Sequence, residues 1–267
     1  LPDNVPANEF LNLEGNKLST SKNWAVWLHE YLIDFPDKQD VLRYALTANA
    51  PETKDNDFTW KDFQARNNNE LAAVFGNFIN RVVVLTNKYY NGIVPTPNEL
   101  TEVDEQTLAE LKAYPAVIAS SLERYRFREA QVELMNVARL GNKYLADEEP
   151  WKMVKTNPER VQTQMYVALQ IASALAILSE PFLPFTSQKL CKMLNIQLNH
   201  WNLEFDQWNL TKAGHQIGQA EILFAQIEDV EIQKQIDKLE ATKKANIMEN
   251  QVVEPQKPTS TFEDFSK

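Results

Sequence analysis

The chain has 267 residues, 43% of them hydrophobic, with six glycines, one cysteine and a formal net charge of −10. That apolar content is enough for a sizeable core, while the lone Cys191 excludes an internal disulfide or a multi-cysteine zinc site and points to an intracellular, cytoplasmic protein. So few glycines argue against a glycine-rich phosphate cradle, and the acidic balance argues against holding DNA or RNA by overall charge, so any nucleic-acid contact must be local.

The opening "LPDNVPANEF" lacks the charged, apolar and small-residue order of a signal peptide. Ser19, Thr20, Ser21 and Asn23 are competent N-caps for an amphipathic helix over 23–35 that carries Trp24, Trp27, Leu28 and Leu32. A second helix over 38–50 follows Pro36, and "PETKDNDFTW" is a polar break. A long helix then runs over 60–90, pinned at its start by Trp60 and Phe63 and stopped by Asn91 and Gly92. Two prolines flank Thr96 in a loop; helices over 104–113 and 115–145 come next, the second opening with Pro115 in its first turn. "ERYRFREA" within it reads as an alternating-charge helix face.

After the junction "DEEPWKMVKTNPERV", Asn157 caps and Pro158 opens a helix reaching about 179. The apolar run from Met165 to Phe185 has the length of a membrane span, but Gln170, Ser173, Ser179, Glu180, Pro181 and Pro184 interrupt it. It reads as a buried core helix, and no membrane is expected. A helix over 186–194, an irregular aromatic segment over 199–228 with Trp201, Phe205, Trp208 and Phe224, a charged helix over 229–246 and a polar tail complete the chain. The pattern predicts an all-α protein: an antiparallel helix bundle with an N-terminal loop segment and an irregular segment before the last helix. Trp27, Trp60 and Trp201 are expected in the core. His29, His200 and His215 are scattered without ligand spacing, so no metal is expected.

Five stretches in order carry a resemblance. "KLSTS" at Lys17 to Ser21, "LRYALTANAPETKDNDFTWKDF" from Leu42, "GNFINR" at Gly76 to Arg81, "EEPW" at Glu148 to Trp151 and "AGHQIGQAEILFAQIED" from Ala213 resemble the C-terminal half of the methionyl-tRNA synthetases, a class I aminoacyl-tRNA synthetase family. The resemblance implies an anticodon-binding helical bundle from a ligase that uses ATP to charge tRNA(Met) with methionine. It divides the chain into a KMSKS-like loop and connecting helix (1–36), the bundle (37–241) and a linker tail (242–267). Nothing matches the family's HIGH-type motif or zinc-binding insertion. The chain is therefore expected to be a fragment that does not aminoacylate alone and holds no cofactor, with ATP bound in the whole enzyme and zinc only in an N-terminal half. A tRNA-binding domain is expected after Lys267.

The resemblance also implies site residues. Lys17 fits the first lysine of the KMSKS loop, whose ammonium groups stabilise charge on departing phosphates; Thr20 stands where the second lysine belongs and cannot neutralise charge. Lys22, two residues on, supplies a charge nearby or is a solvated helix-start lysine. On the long helix, Leu71, Val74, Phe75, Phe78, Val82, Leu85 and Tyr89 form a core stripe. Arg81 falls about 80° and Asn77 about 120° from its centre. These two match the Asn and Arg that read the first anticodon base in the family, and Trp151, presented after Pro150, matches a tryptophan that stacks on an anticodon base. The expected partner is the tRNA(Met) anticodon stem-loop. Arg124, Arg128, Arg139, Lys143, Lys152 and Lys155 are either phosphate contacts or solvated helix faces. Two other readings compete: the bundle of a leucyl- or cysteinyl-type synthetase, and an acidic helical scaffold for a protein partner.

Overall fold

Glu14 and Gly15 both take left-handed φ (48° and 72°), the geometry of a tight hairpin turn. They join strands β1 (Leu11–Leu13) and β2 (Asn16–Lys17), which pair antiparallel, while β3 (Asn56–Phe58) runs parallel to β1 on its other side. This three-stranded sheet, in the order β2-β1-β3, lies where the sequence reading has only loop and break. In this computed structural model, residues 1–197 and 210–251 are described. Trp201, Phe205, Trp208 and His200 lie outside the described residues.

The first helix, α1, spans Leu28–Asp34 and begins later than the expected 23–35, because Ser19 and Trp24 pair as an isolated β-bridge. None of the hydroxyl residues caps it: Trp27 occupies the N-cap without a side-chain bond, and the Asn23 Oδ1 instead accepts from the Trp27 indole at 2.6 Å. The core tryptophan here is Trp24, whose indole donates to the Leu13 carbonyl at 3.0 Å; Trp27 is half-buried rather than in the core. Helix α2 spans Gln39–Ala48.

One continuous rod follows, made of α3 (Trp60–Ala65), a π-helical stretch (Arg66–Gly76) and α4 (Asn77–Tyr90). Thr59 caps it by accepting from the Asp62 amide at 3.1 Å, and Trp60 and Phe63 lock its start into an aromatic cluster with Tyr31, Phe35 and Phe58. Wider π turns put the buried positions Phe63, Asn67, Leu71 and Phe75 four residues apart. Asn91, in the left-handed region at φ 52°, ends the rod as its position before Gly92 suggests.

Helix α5 (Glu102–Glu123) runs straight through Pro115, and the break falls at Tyr125 instead, before α6 (Phe127–Glu148). Fully buried Leu111 and Ile118 flank the proline, and their packing outweighs the hydrogen bond that its ring removes. Tyr125 takes φ 60° and the Arg126 amide reaches back to the Ser121 carbonyl at 2.9 Å, so "ERYRFREA" is the turn between two antiparallel helices, not a helix face.

The short α7 (Pro150–Met153) leads to α8 (Pro158–Leu178), capped by Asn157 and opened by Pro158 as the sequence indicates. Alone among the described residues, α8 is long and apolar enough to cross a membrane, and it is sheathed by the protein as the central core helix. Helix α9 spans Pro184–Leu194. The extended segment from Leu210 is stitched to the end of α4: Val94 N donates to the His215 carbonyl and Ile217 N to the Gly92 carbonyl, both at 2.8 Å. The last helix, α10, spans Asp229–Gln251, running ten residues past 241, where the linker is expected to begin. Its buried Ile232 and Leu239 anchor it to the body.

Candidate functional site

Asn77 and Arg81 sit one turn apart at the start of α4, Asn77 exposed and Arg81 half-buried. Phe78, Ile79, Val82 and Val83, all fully buried, fix the rotation of the helix and leave these two on its flank. Trp151 comes from a separate part of the chain. Glu149 adopts a left-handed φ of 40°, the buried Pro150 opens α7, and the indole leans half-buried against the core.

The two parts meet. The Arg81 guanidinium carbon lies 4.7 Å from the centroid of the Trp151 ring. Such a stack restrains the guanidinium through the ring's quadrupole and uses none of its N–H donors. Among the described residues no oxygen accepts from the side chain of Arg81 or Asn77, so their donors and the Asn77 acceptor remain available at the surface. An amide and a guanidinium beside an aromatic face are the groups that recognise an unstacked base: edge hydrogen bonds from the first two, a π surface from the third.

Behind α7 lies an ionic cluster that sequence reading missed. Asp104, fully buried, accepts from the Thr101 amide at 2.9 Å in a capping box, from the Tyr144 hydroxyl at 2.5 Å and from both terminal nitrogens of Arg160. Arg160 also donates through Nε to Glu148 at 3.1 Å, and Gln164 donates to the same carboxylate at 2.8 Å. Burial alone would raise the Asp104 carboxyl, but the hydrogen bonds from Arg160, Tyr144 and the Thr101 backbone outweigh it and hold the group below its ordinary value. Burial and the hydrogen bond to Asp104 push the Tyr144 phenol up. The cluster ties α5, α6 and α8 together at the residue pair Glu148–Glu149 that aims Trp151. The only trace of it in sequence is the Thr101-x-x-Asp104 spacing.

The "KLSTS" stretch is the second place of interest. Lys17 closes β2, with its ammonium 5.3 Å from the Phe10 ring centroid. Ser19 and Trp24 exchange backbone hydrogen bonds at 3.0 and 2.8 Å, so Thr20 to Asn23 project as a closed loop, within which the Ser19 and Ser21 hydroxyls are 3.2 Å apart. Lys17, Ser19 and Lys22 line one wall of a groove whose described lining residues include no carboxylate, a donor set suited to phosphate oxygens. Thr20 is not part of that wall. Of the surface cations, Arg124, Lys143 and Lys152 pair with Glu129, Asp147 and Glu149, and Arg139 donates to Asn136 at 2.8 Å.

The family description "anticodon binding domain of methionyl tRNA ligase" matches residues 94–244, and "tRNA synthetases class I (M)" matches residues 1–83. The chain belongs to the methionyl-tRNA ligase anticodon-binding family. The methionine–tRNA ligase of Flavobacterium psychrophilum is 79% identical over 268 residues, with all of this chain and 39% of the relative covered. That of Flavobacterium johnsoniae is 72% identical over 294 residues, covering all of this chain and 41% of the relative. The chain thus spans about two-fifths of the length of these methionyl-tRNA ligase relatives. The Mycobacterium tuberculosis methionyl-tRNA synthetase in complex with methionyl-adenylate superposes with a TM-score of 0.73 at 24% identity, over 82% of this chain and 43% of that one. At that identity the likeness speaks for the fold, a helical bundle of the methionyl-tRNA ligase type.

Proposed function

We propose that this chain is the anticodon-reading part of a cytoplasmic, ATP-dependent methionine–tRNA ligase, with the KMSKS-like loop attached at its N-terminal side. Asn77 and Arg81 read the first anticodon base of tRNA(Met), and Trp151, following Pro150, stacks on an anticodon base. The observation that carries this reading is the Arg81–Trp151 stack at 4.7 Å with Asn77 one turn away. Arg81 and Trp151 come from distant stretches, Asn77 lies one turn from Arg81, and together they offer the mix of π face and edge donors that supports base recognition.

In the whole enzyme, bound ATP supplies the pyrophosphate leaving group for activating methionine. The part of this chain that would face its phosphates is Lys17 and Lys22 with the Ser19 hydroxyl, which hold and orient oxygens and offset their charge. The leucyl- and cysteinyl-type alternatives give way to the family match.

Asn77 supplies the test. In a titration with an RNA hairpin carrying the methionine anticodon, Asn77→Ala should weaken binding by about 0.5–1.5 kcal/mol, the net worth of a neutral hydrogen bond. The loss should disappear against a hairpin with its first anticodon base changed. An unchanged affinity for the first hairpin would remove Asn77 from the reading.

A further inference from the structure

The second wall of the "KLSTS" groove is made by α10, whose Asn246 lies 224 residues along the chain from Lys22 of the loop it faces. Lys243 and Asn246 occupy successive turns of one face of that helix, and the Asn246 side-chain amide donates to the Lys22 carbonyl at 2.6 Å. The helix is held in this position along its length. Gln64 donates to Asp229 at 2.9 Å, Gln235 donates to Asp34 at 3.0 Å, Lys238 pairs with the same carboxylate, and Leu239 is buried. The result is a groove of about 560 Å³, within the range of small-ligand sites, where the described lining residues include three lysines beside Leu18 and Trp24 and no carboxylate, in a chain whose net charge is −10. Three ammonium groups drawn from two distant segments of an acidic protein around one groove create a local positive field suited to a multiply charged anion.

The geometry points to Lys243 as the third cation of a polyphosphate-binding site formed with Lys17 and Lys22, with Asn246 as the positioning residue that holds α10 against the loop. This inference rests on reading "KLSTS" as the phosphate-facing loop. It answers the departure at Thr20: the charge missing from the loop comes from the last helix. It also couples the site to the bundle, because α10 connects the anion groove to α1 and α3 through the contacts just given.

The test is a calorimetric titration of the full chain with inorganic pyrophosphate at fixed ionic strength, since screening acts on every exposed charge. Lys243→Ala should weaken pyrophosphate binding roughly tenfold, because one of three ammonium contacts with a multiply charged ligand is lost in a solvent-open setting. Lys243→Arg, which keeps the charge, should stay within about threefold of the parent. Lys88→Ala removes a lysine in the last turn of α4, outside the groove lining, and should change binding less than twofold. A Lys243→Ala effect no larger than that of Lys88→Ala, or no pyrophosphate binding by the parent chain, would overturn the assignment. Anticodon-hairpin binding, measured on the same samples, should be unaffected by Lys243→Ala. Its absence in the parent would count against the anticodon reading alone.

Discussion

Arg160→Ala should destabilise the protein by about 3–5 kcal/mol at neutral pH, the cost of leaving a buried carboxylate without its ion partner. Asp104 has no exposed side-chain surface and Arg160 retains 12% of its own, so loss of the two guanidinium bonds leaves a buried carboxylate with only the Thr101 and Tyr144 donors. Glu148 would lose its Arg160 contact at the same time, leaving Gln164 to hold it. The damage therefore centres on the turn that aims Trp151. Replacing Arg160 with lysine should recover only part of the loss, because a single ammonium cannot reproduce a fork that engages Asp104 and Glu148 together.

The same pair sets a pH signature. Folding lowers the Asp104 carboxyl from its ordinary 3.8, so the unfolded chain binds the proton more readily than the folded one. The stabilisation is complete above about pH 4 and fades as the pH falls through the lower folded value. Urea unfolding at pH 7 and pH 3 should therefore show the parent and Arg160→Ala drawing closer together at the acid end. A destabilisation under 1 kcal/mol at neutral pH, or one that does not shrink on acidification, would mean that the ion pair is not what holds this corner.

Trp151→Ala should weaken binding of the methionine-anticodon hairpin by about 1–3 kcal/mol, the worth of one base–aromatic stack. Trp151→Phe, which keeps a smaller π face, should lose less. The indole also restrains Arg81, so the alanine variant releases a guanidinium that was held over the ring. Thermal unfolding separates this from a packing defect: Trp151 is half-buried, and its replacement should cost far less stability than Arg160→Ala. Equal losses of stability in the two variants would make Trp151 a core residue first and a binding residue second.

Helices with strong local signals were legible in the sequence. Asn157 and Pro158 mark the start of α8, Asn91–Gly92 marks the end of α4, and the apolar stripe of the rod gives its buried face. Strands of two or three residues carry no period to detect, and the hairpin turn hid because Glu14 occupies a left-handed position usually held by Asn, Asp or Gly. Pro115 misled because proline reads as a helix start, whereas the packing of Leu111 and Ile118 carries α5 across it. At the site, the flank positions of Asn77 and Arg81 follow from helical phase, and the family resemblance adds Trp151. The Asp104–Arg160 pair was not legible, because it joins two charged residues that each look like ordinary helix-surface positions. Lys243 was hidden for a similar reason, in a charged helix with the texture of a solvated one.

Arg81 distinguishes base reading from backbone binding, because a base contact and a phosphate contact fail differently. Two hairpins that differ only in the first anticodon base should be titrated against the parent chain and Arg81→Ala under one salt condition. If Arg81 reads that base, the variant should lose about 1.5–3 kcal/mol against the methionine anticodon, the range of a charge-assisted hydrogen bond, and much less against the altered hairpin, so discrimination narrows. Equal losses against both hairpins would make Arg81 a backbone contact, and no loss against either would contradict the assignment of this surface to the anticodon.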